Sequence, residues 1–146
     1  MTLEDAVYYR QMLSLGLGDV YEQDFSVILE QEEPLKPLTL ELVSCLSDVN
    51  QTISVLDHYV GERKYDTDIV YKKLMREMNR QHSVGGLTQE QITEKLFSVM
   101  AGLEYDVLFT APWHELVGAY YDYDEGYVCL REITKEVIEV VSKYKE

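Results

Sequence analysis

A chain of 146 residues, 46% hydrophobic and 27% charged, has the size and balance of one globular domain and needs neither a disulfide nor a metal to fold. Its 27 acids against 13 lysines and arginines give a net charge of −14, which disfavours bare nucleic acid and anionic membranes and suits a basic protein partner. No apolar run approaches the ~20 residues of a membrane span, and the start MTLEDAVYYRQ lacks the cationic and apolar regions of a signal peptide, so a cytoplasmic protein is expected.

Helical periodicity dominates. Leu3, Val7, Tyr8, Met12 and Leu15 predict a first helix that stops at Gly16-Leu17-Gly18. Asp19 is the expected N-cap of a second helix carrying Tyr21, Phe25, Ile28 and Leu29, which Pro34 and Pro37 end. From about Leu38 to Val60 the apolar residues Leu42, Leu46, Val49, Ile53, Leu56 and Val60 repeat every three or four positions. This heptad-like stripe predicts one long helix, either the central staff of a bundle or a dimer seam.

Asp66 or Thr67 opens the next helix, with Val70, Leu74 and Met78 inside and the basic face Lys72, Lys73, Arg76 and Arg80 outside. That face is expected to pair with neighbouring acids. Ser83-Val84-Gly85-Gly86 reads as a loop, and Thr88 with Gln91 as a capping box for a helix over Ile92, Leu96, Val99 and Leu103. Thr110-Ala111-Pro112 predicts a further helix from Trp113 to Tyr123. After Gly126, a last helix is expected from Leu130 to Lys145. Only Tyr120 to Cys129 could instead be extended, since tyrosine and valine favour strands. The expected fold is therefore all-α: one acidic domain over residues 1–146, a bundle of six or seven helices around the long helix at about 38–60.

Chemistry-bearing motifs are few. The three histidines, His58, His82 and His114, are far apart, and no cysteine pair has metal-ligand spacing. Cys45 and Cys129 are expected as reduced, mostly buried thiols. No phosphate-binding glycine loop and no activated nucleophile is evident, so neither an enzyme nor a cofactor is expected. The stretch Glu125 to Glu132 resembles the second half of an EF-hand calcium loop in Gly126, Val128 and Glu132. Tyr121 and Tyr123 occupy the first and third ligand positions, where carboxylates belong, so a metal is not expected either.

The charge is concentrated at the two ends. Residues 1–34 hold eight acids and one base, and residues 81–146 hold twelve acids and five bases. Near the second end, Tyr120 to Tyr127 packs four tyrosines and three carboxylates into eight residues with no cation. Tyrosine offers contact area at low entropy cost, and carboxylates can stand in for phosphates before an arginine-rich cleft. The expected function is a non-enzymatic inhibitor that blocks a basic, nucleic-acid-binding surface, foremost that of a nuclease. Nucleic-acid mimics, phage-encoded inhibitors of defence nucleases and immunity proteins have this charge and size. Tyr121, Asp122, Tyr123, Asp124, Glu125 and Tyr127, with Glu22, Asp24, Glu30, Glu32 and Glu33, are the expected contact residues. The alternative is a structural or adaptor protein that self-associates as a homodimer through the long helix.

Overall fold

The computed structural model describes residues 1–145, and among them it contains nine α-helices, one 3₁₀ turn and no strand. The all-α expectation holds. No described helix is long and apolar enough to cross a membrane. The packing divides the chain into two compact units, Met1–Asp66 and a second beginning at Thr67.

The first unit holds α1 (Leu3–Ser14), α2 (Gly18–Gln31), α3 (Pro37–Val43) and α4 (Val49–Val60). A capping box starts α1: the Asp5 N–H donates to Thr2 Oγ1, and the Thr2 N–H donates to Asp5 Oδ2, both at 3.0 Å. Leu17, not Asp19, occupies the N-cap of α2 and offers no side-chain acceptor. Asp19 sits instead in the first turn, where its charge meets the positive end of the helix dipole. Helix α1 packs most extensively on α4, and Met12, Leu42 and Leu56 are fully buried in this unit. Four rings, Tyr8, Tyr9, Tyr21 and Phe25, follow one another with centroids 5.2, 5.6 and 5.4 Å apart, within the range of favourable aromatic pairs.

The expected long helix over 38–60 is two helices. Helix α3 ends at Val43, and α4 begins only at Val49. Between them Thr52 Oγ1 donates to the carbonyls of Cys45 (2.9 Å) and Asp48 (2.8 Å), and Asp48 caps α4 by accepting from the Gln51 N–H at 3.0 Å. Side chains such as these compete with the helical backbone for hydrogen bonds, which is why the apolar repeat did not secure a continuous helix. The stripe is broken with it. Leu42, Leu56 and Val60 are buried, Ile53 is half-buried, and Leu46 and Val49 are exposed.

The second unit holds α5 (Thr67–Val84), α6 (Gln89–Ala101), the short α7 (Tyr105–Leu108), a 3₁₀ turn at Trp113–Glu115, α8 (Val117–Asp124) and α9 (Leu130–Val141). Together with the split of the long helix, α7 raises the helix number above the six or seven expected. Helix α5 runs on through Ser83 and Val84, which were expected in a loop. The capping box before α6 is formed: the Gln91 N–H donates to Thr88 Oγ1 at 3.1 Å, and the Thr88 N–H to Gln91 Oε1 at 2.9 Å. The helix expected from Trp113 to Tyr123 begins as the 3₁₀ turn and becomes α-helical only after Leu116. Trp113 is fully buried with its ring 5.2 Å from Tyr71, and Leu116 is fully buried too.

Helix α9 is the hub of this unit. It packs on α6, α5 and α8. Ile133, Val137, Ile138 and Val141 are buried, while Arg131, Glu132, Lys135, Glu136 and Glu139 face solvent. Its α-helical span stops at Val141, short of the expected Lys145. The basic face of α5 pairs with acids of its own helix, Lys72 with Asp68 at 3.0 Å and Arg80 with Glu77 at 2.7 Å.

The broken stripe has a measurable consequence. Leu56→Ala should lower the unfolding free energy by about 2–5 kcal/mol, as expected for a fully buried leucine. Val49→Ala, at the exposed repeat position, should change it by no more than about 0.5 kcal/mol. Urea unfolding followed by circular dichroism checks both, and equal losses would indicate a continuous buried stripe.

Candidate protein-binding surface

The acidic-aromatic tract lies on the last turns of α8 and the corner after it, so the extended alternative for Tyr120 to Cys129 is excluded over Tyr120–Asp124. The corner is a Schellman motif. The Tyr127 N–H donates to the Asp122 carbonyl at 2.9 Å, and the Gly126 N–H donates to that of Tyr123 at 3.1 Å. Gly126 has φ +81°, a conformation that glycine adopts without steric cost.

Helical geometry then sorts the side chains. Tyr120 and Tyr123, three positions apart, both meet Phe97 of α6, each with ring centroids 5.5 Å from it. Tyr121 is half-buried beside Tyr120, their centroids 5.5 Å apart. Asp122, Tyr123, Asp124, Glu125 and Tyr127 are exposed, and Tyr127 is 76% accessible. Asp122, Asp124 and Glu125 make no ion pair or side-chain hydrogen bond among the described residues. They stand at the C-terminal end of α8, whose carbonyls form the negative end of the helix dipole. With no basic residue in the last turn, the carboxylates and the carbonyls reinforce one another in a single negative field.

The five acids expected from residues 22–33 belong to the first unit and separate into two kinds. Glu22, Glu30 and Glu33 are exposed. Asp24 and Glu32 are occupied within the protein. Asp24 accepts the Tyr9 hydroxyl at 3.0 Å. Glu32 accepts the Thr39 hydroxyl at 2.5 Å and lies 3.4 Å from the Met1 amine and 4.0 Å from Lys36. Burial alone would raise the Glu32 carboxyl, but the Thr39 hydrogen bond, the amine and Lys36 outweigh it and hold the group below the usual carboxylate range. The expected contact set thus contains a contiguous group in the second unit, Tyr121, Asp122, Tyr123, Asp124, Glu125 and Tyr127, and a group on and just after α2 in the first unit.

Phe97 and Glu94 of α6 complete the surroundings of the tract and were not among the expected contact residues. Glu94, Phe97, Ser98 and Ala101 lie at helical spacing i, i+3, i+4 and i+7, which marks one strip of α6 but not the helix it meets. Glu132, the EF-hand-like position, accepts from Cys129 Sγ at 3.3 Å. Among the described residues no three His, Cys, Asp or Glu side chains are grouped to hold a metal ion. Both cysteines are free thiols, and Cys129 is exposed, not buried as expected. No protein-family model, curated protein or solved structure matches this chain.

The engagement of Asp24 is open to a pH test. Burial first, then the charge and hydrogen bond of Asp24, push the Tyr9 phenol far above its ordinary value near 10. The native state therefore keeps a proton that the unfolded chain releases above about pH 10. The stability this supplies is complete below that pH and is lost as pH rises further. Alkaline unfolding of Tyr9→Phe should show a shallower decline above pH 10 than the parent, followed by near-ultraviolet circular dichroism. Parallel declines would show that the native state does not hold the Tyr9 proton above about pH 10.

Proposed function

We propose that this protein is a non-enzymatic inhibitor that occupies a basic, nucleic-acid-binding surface of another protein, foremost a nuclease, and excludes nucleic acid from it. The observation that carries the reading is the end of α8. Three carboxylates without ion-pair or side-chain hydrogen-bond partners among the described residues stand beside exposed tyrosines, against the negative end of the helix dipole. Asp122, Asp124 and Glu125 would pair with arginines and lysines of the partner, and Tyr121, Tyr123 and Tyr127 would fill the contact between them. Glu22, Glu30 and Glu33 add to the negative field that steers encounter. The mechanism is competition: the carboxylates take the positions that phosphates would occupy. Direct nucleic-acid contact and membrane contact have no support in this charge distribution.

A second reading, self-association as an assembly or adaptor protein, has one supporting observation. Leu40, Val43, Leu46 and Val49 are each 39–56% exposed around the α3–α4 corner. The surface would be this corner, since the straight heptad seam is absent. Sedimentation equilibrium distinguishes it: a solution mass of 17.0 kDa at all concentrations removes this reading.

The inhibitor reading predicts capture of a nucleic-acid-binding protein from a low-salt lysate, with release by added duplex DNA or by salt. The triple variant Asp122→Asn, Asp124→Asn, Glu125→Gln should bind that partner roughly ten-fold more weakly, the scale of three peripheral ion pairs. Retention that ignores salt and DNA, or an unchanged affinity in the triple variant, would refute the competitive mechanism.

A further inference from the structure

An open recess of about 330 Å³ lies between α6 and α8 in the second unit. That volume is at the lower end of the ~300–1,000 Å³ range of small-ligand sites. Its aromatic lining is Phe97, Tyr120 and Tyr123, with Glu94 and Asp124 as its acids. No lysine, arginine or histidine lines it, and neither carboxylate has an ion pair or side-chain hydrogen bond among the described residues. Ser98 and Ala101, both small, complete its α6 side.

We propose that this recess is a guanidinium pocket, which receives one arginine side chain from the basic partner. The inference rests on the inhibitor reading for the source of the arginine and deepens it by naming the side chain recognised. Phe97 is 4% exposed and supports the two tyrosines, which present more of their ring surface outward. The centroids are 5.5 Å apart, so the rings touch and no cation enters between them. The cation is received on the open side of the cluster, over the electron-rich ring faces, with Glu94 and Asp124 as counter-charges.

A guanidinium fits this lining better than an ammonium. It is planar, stacks on aromatic faces, is weakly hydrated, and can present separate N–H donors to two carboxylates. An ammonium holds its water more tightly and presents no flat face. The protein already makes one contact of this kind internally, with the Arg63 guanidinium carbon 4.3 Å from the centroid of the Tyr59 ring.

The test is an NMR titration of the aromatic, methyl and backbone amide resonances with three synthetic peptides of one length, alternating glycine with arginine, lysine or neutral citrulline. The arginine peptide should shift Phe97, Tyr120 and Tyr123 saturably, the lysine peptide several-fold more weakly, and the citrulline peptide not at all. Tyr123→Ala and the pair Glu94→Gln, Asp124→Asn should each weaken arginine-peptide binding by roughly five- to ten-fold, whereas Tyr123→Phe should retain it. Unchanged core resonances of Ile133 and Val137 would confirm that each variant is folded. Equal response to arginine and citrulline, or to arginine and lysine, overturns the pocket. Shifts confined to Asp122, Glu125 and Tyr127 overturn the pocket and leave the inhibitor reading standing. A saturable arginine response here, with no partner displaced from nucleic acid, leaves the pocket standing and removes the inhibitor reading.

Discussion

Twenty-seven carboxylates share thirteen lysines and arginines in this chain, so ion pairing cannot neutralise most of its acids. The fold answers this constraint by using carboxylates as hydrogen-bond acceptors. Asp5 and Asp48 accept backbone N–H groups at helix starts, where the dipole also favours negative charge. Asp24 and Glu32 accept hydroxyls of Tyr9 and Thr39. Each of these acids helps to hold a helix or a contact between helices in the first unit. Asp122, Asp124 and Glu125 are different, because they stand at the wrong end of a helix for such use. Their charge has no relief within the described residues, and this sets the end of α8 apart as a surface suited to an external cation.

The second unit supports that surface through apolar packing. Helix α9 presents Ile133, Val137, Ile138 and Val141 to its neighbours and packs on both α6 and α8. The two helices that carry Phe97 and the tyrosines are therefore held by one shared partner. The tyrosines are bound to α6 by ring contacts, and the Schellman turn at Gly126 ends the helix. A surface anchored in this way loses little freedom when a partner docks, which favours affinity at a given contact area.

Much of the architecture was legible in the residues, for identifiable reasons. The Thr88–Gln91 capping box and the glycine turn at Gly126 act through neighbours a few positions away, and each is found where the residues place it. The convergence of Tyr120 and Tyr123 on one face follows from helical spacing alone. The break at 44–48 was not legible, because the apolar repeat continues through it unchanged. The hydroxyl of Thr52 and the carboxylate of Asp48 decide the local structure there. Asp19 was expected as a cap on residue type, yet the cap falls two residues earlier, at Leu17, and caps depend on backbone geometry that residue type only biases.

Composition and short-range periodicity are sufficient for the helical class, the excess of negative charge and the grouping of tyrosines with carboxylates near Gly126. Tertiary structure alone decided which acids are available. Asp24 and Glu32 look like Glu30 and Glu33 in the chain, but fifteen residues separate Asp24 from Tyr9, and seven separate Glu32 from Thr39. It also decided that Phe97 and Glu94 of α6 join Tyr120, Tyr123 and Asp124 of α8 around one recess. Packing between helices brings such residues together, and no pattern within either helix encodes the partner it meets.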